Sequence, residues 1–202
     1  KKSFKIMMDY IKKKGNLIHK TAIINWKKLI IGRNNIIGPY AVIGNFAQHP
    51  KSKSKGKIII GNNNIINEYC NIHLPTKLNK KTLIGDNNYF MNSTTIDHDC
   101  TIENNVVLSS NVILGGNVYI MNGAQLGIRS SIHQNQIIGS FSMIGMNSFI
   151  TKKIKVYPGY KFYGKPAKKK GKNLIGLKKN NINSLRIKEE QKRFKKLLML
   201  NK

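Results

Sequence analysis

Every sixth residue of this chain from Ile84 to Val156 is apolar: Ile84, Phe90, Ile96, Ile102, Leu108, Leu114, Ile120, Leu126, Ile132, Ile138, Ile144, Ile150 and Val156. The apolar background is 40%, so a run without a miss has a chance probability of about 0.4 to the thirteenth power, and the pattern is structural. A period of six suits neither an α-helix nor a single strand, which repeat near 3.6 and 2 residues. It suits a parallel β-helix with three short faces per coil, about 18 residues to the turn. Earlier blocks keep the rhythm: Ile18 and Ile24, then Ile31, Ile37 and Ile43, then Ile60, Ile66 and Ile72. The one-residue slip between the first two blocks predicts an outward bulge near Trp26 to Leu29.

Glycine follows many of the apolar positions, as in Ile31-Gly32, Ile84-Gly85, Leu114-Gly115 and Ile144-Gly145. Corners of a coiled sheet need tight backbone, and Gly and Asn tolerate the positive φ that such corners use. Two places before the apolar residue stand small side chains, Thr94, Cys100, Val106, Val112, Val118, Ala124 and Ser130, as a narrow triangular interior requires. Cys100, and Cys70 at the equivalent place, are therefore read as core. Two segments interrupt the coil, Asn45 to Lys57 and Leu74 to Lys81, and loops inserted into repeats tend to sit on the binding face.

Three regions follow. Residues 1–15 are expected to form a short capping helix, from the spacing of Phe4, Met7, Met8 and Ile11 with Gly15 as a stop. Residues 16–157 are the β-helix. The rhythm stops after Pro158, and residues 158–202 form an extension in which Ser184 to Leu200 reads as a helix with Leu185, Phe194, Leu197 and Leu198 on its apolar side.

The formal charge of +28 raises nucleic acid, membrane surface or an acidic partner. Lys, Asn and Ile are all plentiful, however, which is the bias of an AT-rich genome. No zinc-finger, helix-turn-helix or basic-zipper pattern appears, so nucleic-acid binding is not expected. The five histidines are scattered without paired ligand spacing, so no metal site is expected. Two cysteines without a CxxC pair suit a reducing compartment, and no apolar stretch reaches the ~18 residues of a spanning helix. A soluble cytoplasmic protein is the expectation.

The segments Ile96-Asp97-His98-Asp99-Cys100, Leu114-Gly115-Gly116, Ile132-His133-Gln134, Gly164-Lys165-Pro166-Ala167 and Asn173 with Gly176-Leu177-Lys178 together resemble one family. It is the UDP-N-acetylglucosamine acyltransferases that open lipid A synthesis, with related amino-sugar N-acyltransferases beyond them. The resemblance runs from about Ile18 to Lys178. It implies a left-handed coil, a homotrimer and active sites in the grooves between subunits. It places His98 on the general base, Asp99 on the acid that supports it and Gly116 on the oxyanion glycine. His133 and Gln134 match a pair beside the site, and Gln48 a groove residue near the nucleotide sugar. Thr95 and Asn117 stand where the family has further histidines, and His49 replaces an aspartate that contacts the sugar nucleotide. Asn173 lies in the family's tail motif, where Lys179 replaces an arginine.

Spacing supports this chemistry independently. Residues 18 apart stack about 4.8 Å from one another in adjacent coils, so His98, Gly116 and Gln134 form one column on one edge. A base beside a preorganised backbone N–H is the layout acyl transfer needs. The expected reaction moves an acyl group from an acyl carrier protein or acyl-CoA directly to a nucleotide-linked sugar, with no bound cofactor and no acyl-enzyme. Acetyl-CoA-dependent N-acetylation of an amino sugar is the competing enzyme reading, and a β-helical binding module without turnover the non-enzymatic one. Lys168, Lys169, Lys170, Lys172, Lys178 and Lys179 are candidates for holding phosphates. His73 and His49, at loop edges, are expected to be solvated.

Overall fold

The computed structural model describes residues 9–200. Short strands wind into three sheets of ten, six and seven strands, parallel with neighbours about one coil apart in sequence except at the two ends of the ten-stranded sheet, where the outermost pairs are antiparallel. The architecture is a left-handed parallel β-helix of hexapeptide repeats. From Ile84 onward the register is strict: Ile84 pairs with Ile102, Phe90 with Leu108, Ile96 with Leu114 and Ile120 with Ile138, each 18 residues on. The earlier irregularities are equally readable. Ile18 pairs with Ile37, one residue more than a coil. Ile31 pairs with Ile60 and Ile60 with Ile84, so both interrupting segments are extruded loops while the coil continues beneath them.

Each six-residue position sends its apolar side chain inward, where Ile37, Ile66, Phe90, Leu108 and Ile144 are fully buried. Burial of such a side chain contributes about 1.5–3 kcal/mol, and cutting one to alanine in this column costs about 2–5 kcal/mol. The small residues form a second interior column, with Cys70 and Cys100 at 1% and 0% exposure. Burial pushes the thiols up to about 11 and about 12. The interior is not wholly apolar. Asn16 Oδ1 accepts from Asn35 Nδ2 at 2.8 Å, Asn35 Oδ1 from Asn64 Nδ2 at 2.9 Å, and Asn64 Oδ1 from the Asn88 N–H at 2.9 Å. This buried ladder climbs one corner of the first coils and ends at the Val106 N–H, which Asn88 Oδ1 accepts.

The corners divide the expected roles of Gly and Asn: Gly44 takes φ 96°, but most glycines after the apolar positions do not take positive φ. Positive φ belongs mainly to Asn34, Asn63, Asn87, Asn105, Asn111, Asn117, Asn135 and Asn147, whose short side chains tolerate the left-handed region. Gly115 and Gly127 are needed for space instead: a Cβ would stand 2.8 Å from the Gln134 nitrogen or 2.6 Å from the Met146 nitrogen of the next coil.

Two more expectations are corrected. The N-terminal helix over 1–15 falls partly on residues 1–8, outside the described residues, and its remainder is not helical. Tyr10–Lys13 is a strand antiparallel to Asn16–His19, turned by Lys14 and Gly15 at φ 50° and 74°. Two successive positive φ values make a hairpin turn that matches strand twist, so Gly15 marked a hairpin rather than a helix stop. At the other end the coil outlasts residue 157: Phe162, in the strand Tyr160–Gly164, pairs with Ile144 and is 3% exposed. The Pro158-Gly159 corner, with Gly159 at φ 77°, carries the chain round once more. The strand Ala167–Lys172 then folds back antiparallel.

Helix α1 (Leu174–Lys179) and helix α2 (Ser184–Leu200) complete the described residues. α2 lies on the outer face of the six-stranded sheet, where Phe194, fully buried, packs against Met121 and Ile137. Polar contacts fix its rotation. Arg193 pairs with Glu103, which also accepts from the Tyr119 hydroxyl and, at 2.9 Å, from the Asn122 N–H. Glu190, 3% exposed, accepts from Ser140 Oγ at 2.6 Å and pairs with Arg186 at 2.9 Å. Leu185, expected on the apolar side, is 64% exposed.

Candidate active site

His98 stands on the edge between the strands Thr95–Ile96 and Thr101–Ile102. Its carbonyl accepts from the Asn117 N–H at 2.8 Å and the Gly116 carbonyl from the Asn135 N–H at 3.0 Å, so the expected column of His98, Gly116 and Gln134 is observed. His98 Nδ1 lies 2.9 Å from Asp99 Oδ2. An ionised Asp99 is an acceptor only, so Nδ1 carries the proton and the Nε2 lone pair is left for chemistry. Asp99 is itself fixed from the Leu74 to Lys81 loop: Thr76 Oγ1 donates to Oδ2 at 2.8 Å and the Thr76 N–H to Oδ1 at 3.2 Å.

Gly116 is where it is because no side chain fits. A Cβ there would come within 2.8 Å of His98 Nδ1, and closer still to Cε1 and Nε2. The imidazole thus packs directly on the backbone one coil away. Among the described residues the Gly116 N–H has no hydrogen-bond partner, although the residue is buried. A donor with no protein acceptor is free to meet a charge forming beside it.

Asp97 closes the other side of the ring. Its Oδ1 accepts from the His98 N–H at 2.7 Å and faces His73 Nδ1 at 3.2 Å, while Oδ2 is 3.9 Å from His98 Nε2. Burial alone would lift the Asp97 carboxyl, yet the His73 hydrogen bond, the His98 N–H and the two imidazoles hold it below the ordinary carboxylate value. His73 corrects an expectation: it is 1% exposed and its Nε2 is buried without a hydrogen-bond partner among the described residues. His49 does project from its loop exposed to solvent, but its ring meets that of His98 edge-on, with centroids 5.6 Å apart.

The remaining candidates divide. Thr95 sits on the strand leading into the His98 edge, between Asn71 and Ile113 of the adjacent coils. Asn117 follows Gly116 at φ 60° and donates to Asn135 Oδ1 at 2.7 Å. His133 is exposed, with Nδ1 2.9 Å from the Gln134 carbonyl, and Gln134 and Gln48 are exposed. Asn173 is not a free side chain. It caps α1 by accepting from the Gly176 N–H at 3.3 Å and donates to the Phe141 carbonyl at 3.0 Å, on a different edge of the coil from His98. Lys179 is exposed in the last turn of α1, and Lys168, Lys169, Lys170 and Lys172 are exposed on the final strand. Asp97 and Thr76 were missed as site residues. Asp97 was visible as a third ionisable group beside His98 and Asp99, whereas nothing local marks Thr76, which arrives on an extruded loop.

A model of the bacterial transferase hexapeptide family (six repeats) matches residues 81–116, and with the coil and its edge column it defines the chain as a hexapeptide-repeat acyltransferase. Solved structures sharpen this. The UDP-N-acetylglucosamine acyltransferase of Arabidopsis is 30% identical, with 92% of this chain and 72% of that one covered at a TM-score of 0.77. That of Bacteroides fragilis is 28% identical, with 88% and 69% covered at 0.79. The corresponding structure from Acinetobacter baumannii is 29% identical, with 91% and 82% covered at 0.72. No curated protein sequence matches significantly. The chain belongs to the UDP-N-acetylglucosamine acyltransferase family.

Proposed function

We propose that this protein transfers an acyl group from a thioester carrier to the 3-hydroxyl of a UDP-N-acetylglucosamine-type sugar nucleotide, with His98 as general base. The observation that carries this reading is the packing of the Asp99-held imidazole on the side-chain-free Gly116 with its unpaired N–H. The acceptor O–H bond breaks as its proton passes to His98 Nε2, and the oxygen attacks the thioester carbonyl carbon. The Gly116 N–H donates to the oxygen that becomes negative. The C–S bond then breaks, and His98 returns the proton to the leaving thiolate. No acyl-enzyme is needed: Cys100 and Cys70 are buried in the coil, and their raised thiol pKa values disfavour a nucleophilic role.

The donor is an acyl carrier protein or a coenzyme A thioester, and the exposed lysines of the final strand and α1 suit its phosphate or acidic surface. The acting unit is a homotrimer working where sugar nucleotides are made, in the cytoplasm. Its contacts use outer sheet positions that a single chain leaves open, among them Ile23, Ile113 and Phe149, between 42% and 66% exposed. Acetyl transfer to a sugar amine is the second reading, favoured by Thr95 and Asn117, side chains without an imidazole at those two positions beside the base.

Mass spectrometry of products decides between them, with UDP-N-acetylglucosamine and UDP-linked amino sugars offered alongside each carrier. His98→Ala should lower kcat about a hundredfold or more with little change in KM. A folded His98→Ala protein within about threefold of the parent on its true acceptor refutes the mechanism.

A further inference from the structure

We infer that Asp97 is a second carboxylate of the catalytic edge, positioned by His73 to stabilise the imidazolium that forms on His98 during proton transfer. This rests on the proposed role of His98 as base and adds a residue to it.

The geometry is a clamp. Asp99 meets the imidazole at Nδ1, and Asp97 Oδ2 faces the opposite nitrogen, Nε2, at 3.9 Å. In the resting enzyme Nε2 is an acceptor and so is the Asp97 carboxylate, so the two make no hydrogen bond with each other. Once the acceptor's proton arrives at Nε2, the relation reverses. The new N–H bears a positive charge beside a carboxylate whose side chain is only 20% exposed, next to a ring only 12% exposed, where attraction is much stronger than in bulk water. Asp97 thus acts on the charged state and little on the neutral one, which is the condition for speeding the chemical step rather than binding.

Asp97 is held for this purpose from two sides. Its Oδ1 accepts from the His98 N–H at 2.7 Å, which fixes the carboxylate relative to the base on its own strand edge. The second hold is His73, one coil away, at 3.2 Å. His73 is 1% exposed and its Nε2 has no hydrogen-bond partner among the described residues. A buried imidazolium with an unpaired N–H costs more than a neutral ring with an unused lone pair, so His73 carries its proton on Nδ1 and donates it to Asp97. The Thr82 hydroxyl bonds the His73 carbonyl at 3.0 Å and so anchors that strand end. The charged and titratable groups facing the clamp are His73, Asp99 and the His49 ring. Only the two aspartates are anionic.

The test is Asp97→Asn, an isosteric change whose carbonyl oxygen can still accept from His73 and the His98 N–H, while its amide nitrogen takes the place of Oδ2, so the anion facing Nε2 is replaced by a neutral donor that opposes protonation of the ring. Two readouts are taken. In turnover, kcat should fall about tenfold with KM within about twofold, and the acid limb of the kcat profile should move to lower pH by about half a unit or more. In ring-labelled protein, the pH midpoint of the His98 resonances should drop by a similar amount. A purely structural Asp97 gives parental values in both. A folded Asp97→Asn protein whose His98 midpoint is unmoved overturns the clamp. The ring titration needs no substrate, so a protein that acylates none of the offered sugars speaks against the proposed function while the clamp is still decided.

Discussion

Replacing Gly116 with alanine tests the central contact of the site with one methyl group. Gly116 is absent from the positive-φ residues, so alanine is compatible with its backbone and the coil should still close. The new Cβ would lie within 2.8 Å of His98 Nδ1 and nearer to Cε1 and Nε2. Ordinary carbon contact begins near ~3.5 Å, so the ring must retreat by about 1 Å or more. The ring can yield, because it belongs to a side chain at an edge, but it yields by leaving Asp99, whose bond of 2.9 Å would stretch beyond hydrogen-bonding range. Misplacing a catalytic group by about 1 Å can cost about a hundredfold in rate. Lost hydrogen bonding and mild overpacking together cost about 1–2 kcal/mol of stability. The neighbouring Gly115→Ala is the control, because its Cβ meets the Gln134 backbone at 2.8 Å; it should lower stability more and disturb His98 less. Steady-state turnover and thermal melting of both variants provide the assay. Turnover of Gly116→Ala within about threefold of the parent, with a crystal structure showing His98 unmoved, would refute the reasoning.

The depressed Asp97 carboxyl makes a statement about acid stability. A folded-state pKa below the unfolded value of about 3.9 contributes stability above that value and loses it as pH falls through the folded one. The stability gap between parent and Asp97→Asn should therefore narrow as pH drops from about 5 toward 2; a gap constant across that window in denaturant titrations contradicts the account of a carboxylate held ionised by its hydrogen bonds and neighbouring imidazoles. With thiols raised to about 11 and about 12 by burial, the native protein at pH 8 should be alkylated at neither Cys70 nor Cys100, and both should react after denaturation; rapid native labelling, read by mass spectrometry, would show that the interior is open. Light scattering should report about 69 kDa, three times 22.9 kDa, and a monomer at micromolar concentration would remove the shared-groove arrangement.

Much of this molecule was legible from the chain alone, for a physical reason. A coil with a fixed repeat converts sequence separation directly into spatial separation, so counting by 18 places His98 under Gly116 and Gln134, and the register of Ile96 with Leu114 and Leu114 with Ile132 bears that out. The inward column and the buried cysteines followed from the same periodicity, and the span of α2 from apolar residues at helical spacing after the rhythm stops. Counting says nothing about parts that leave the coil. Only the tertiary structure brings Thr76 and His49 back from their loops onto Asp99 and His98, because an extruded loop returns by packing rather than by register. Only it turns the glycines after the apolar positions from sites of backbone freedom into sites where adjacent coils leave no room for a Cβ. It also decided that His73 is buried against Asp97 rather than solvated, and that Asn173 is spent on capping α1. Repeat period is a local property that survives in the sequence, whereas which side chain faces a base is settled by coils and loops that meet only when the chain has folded.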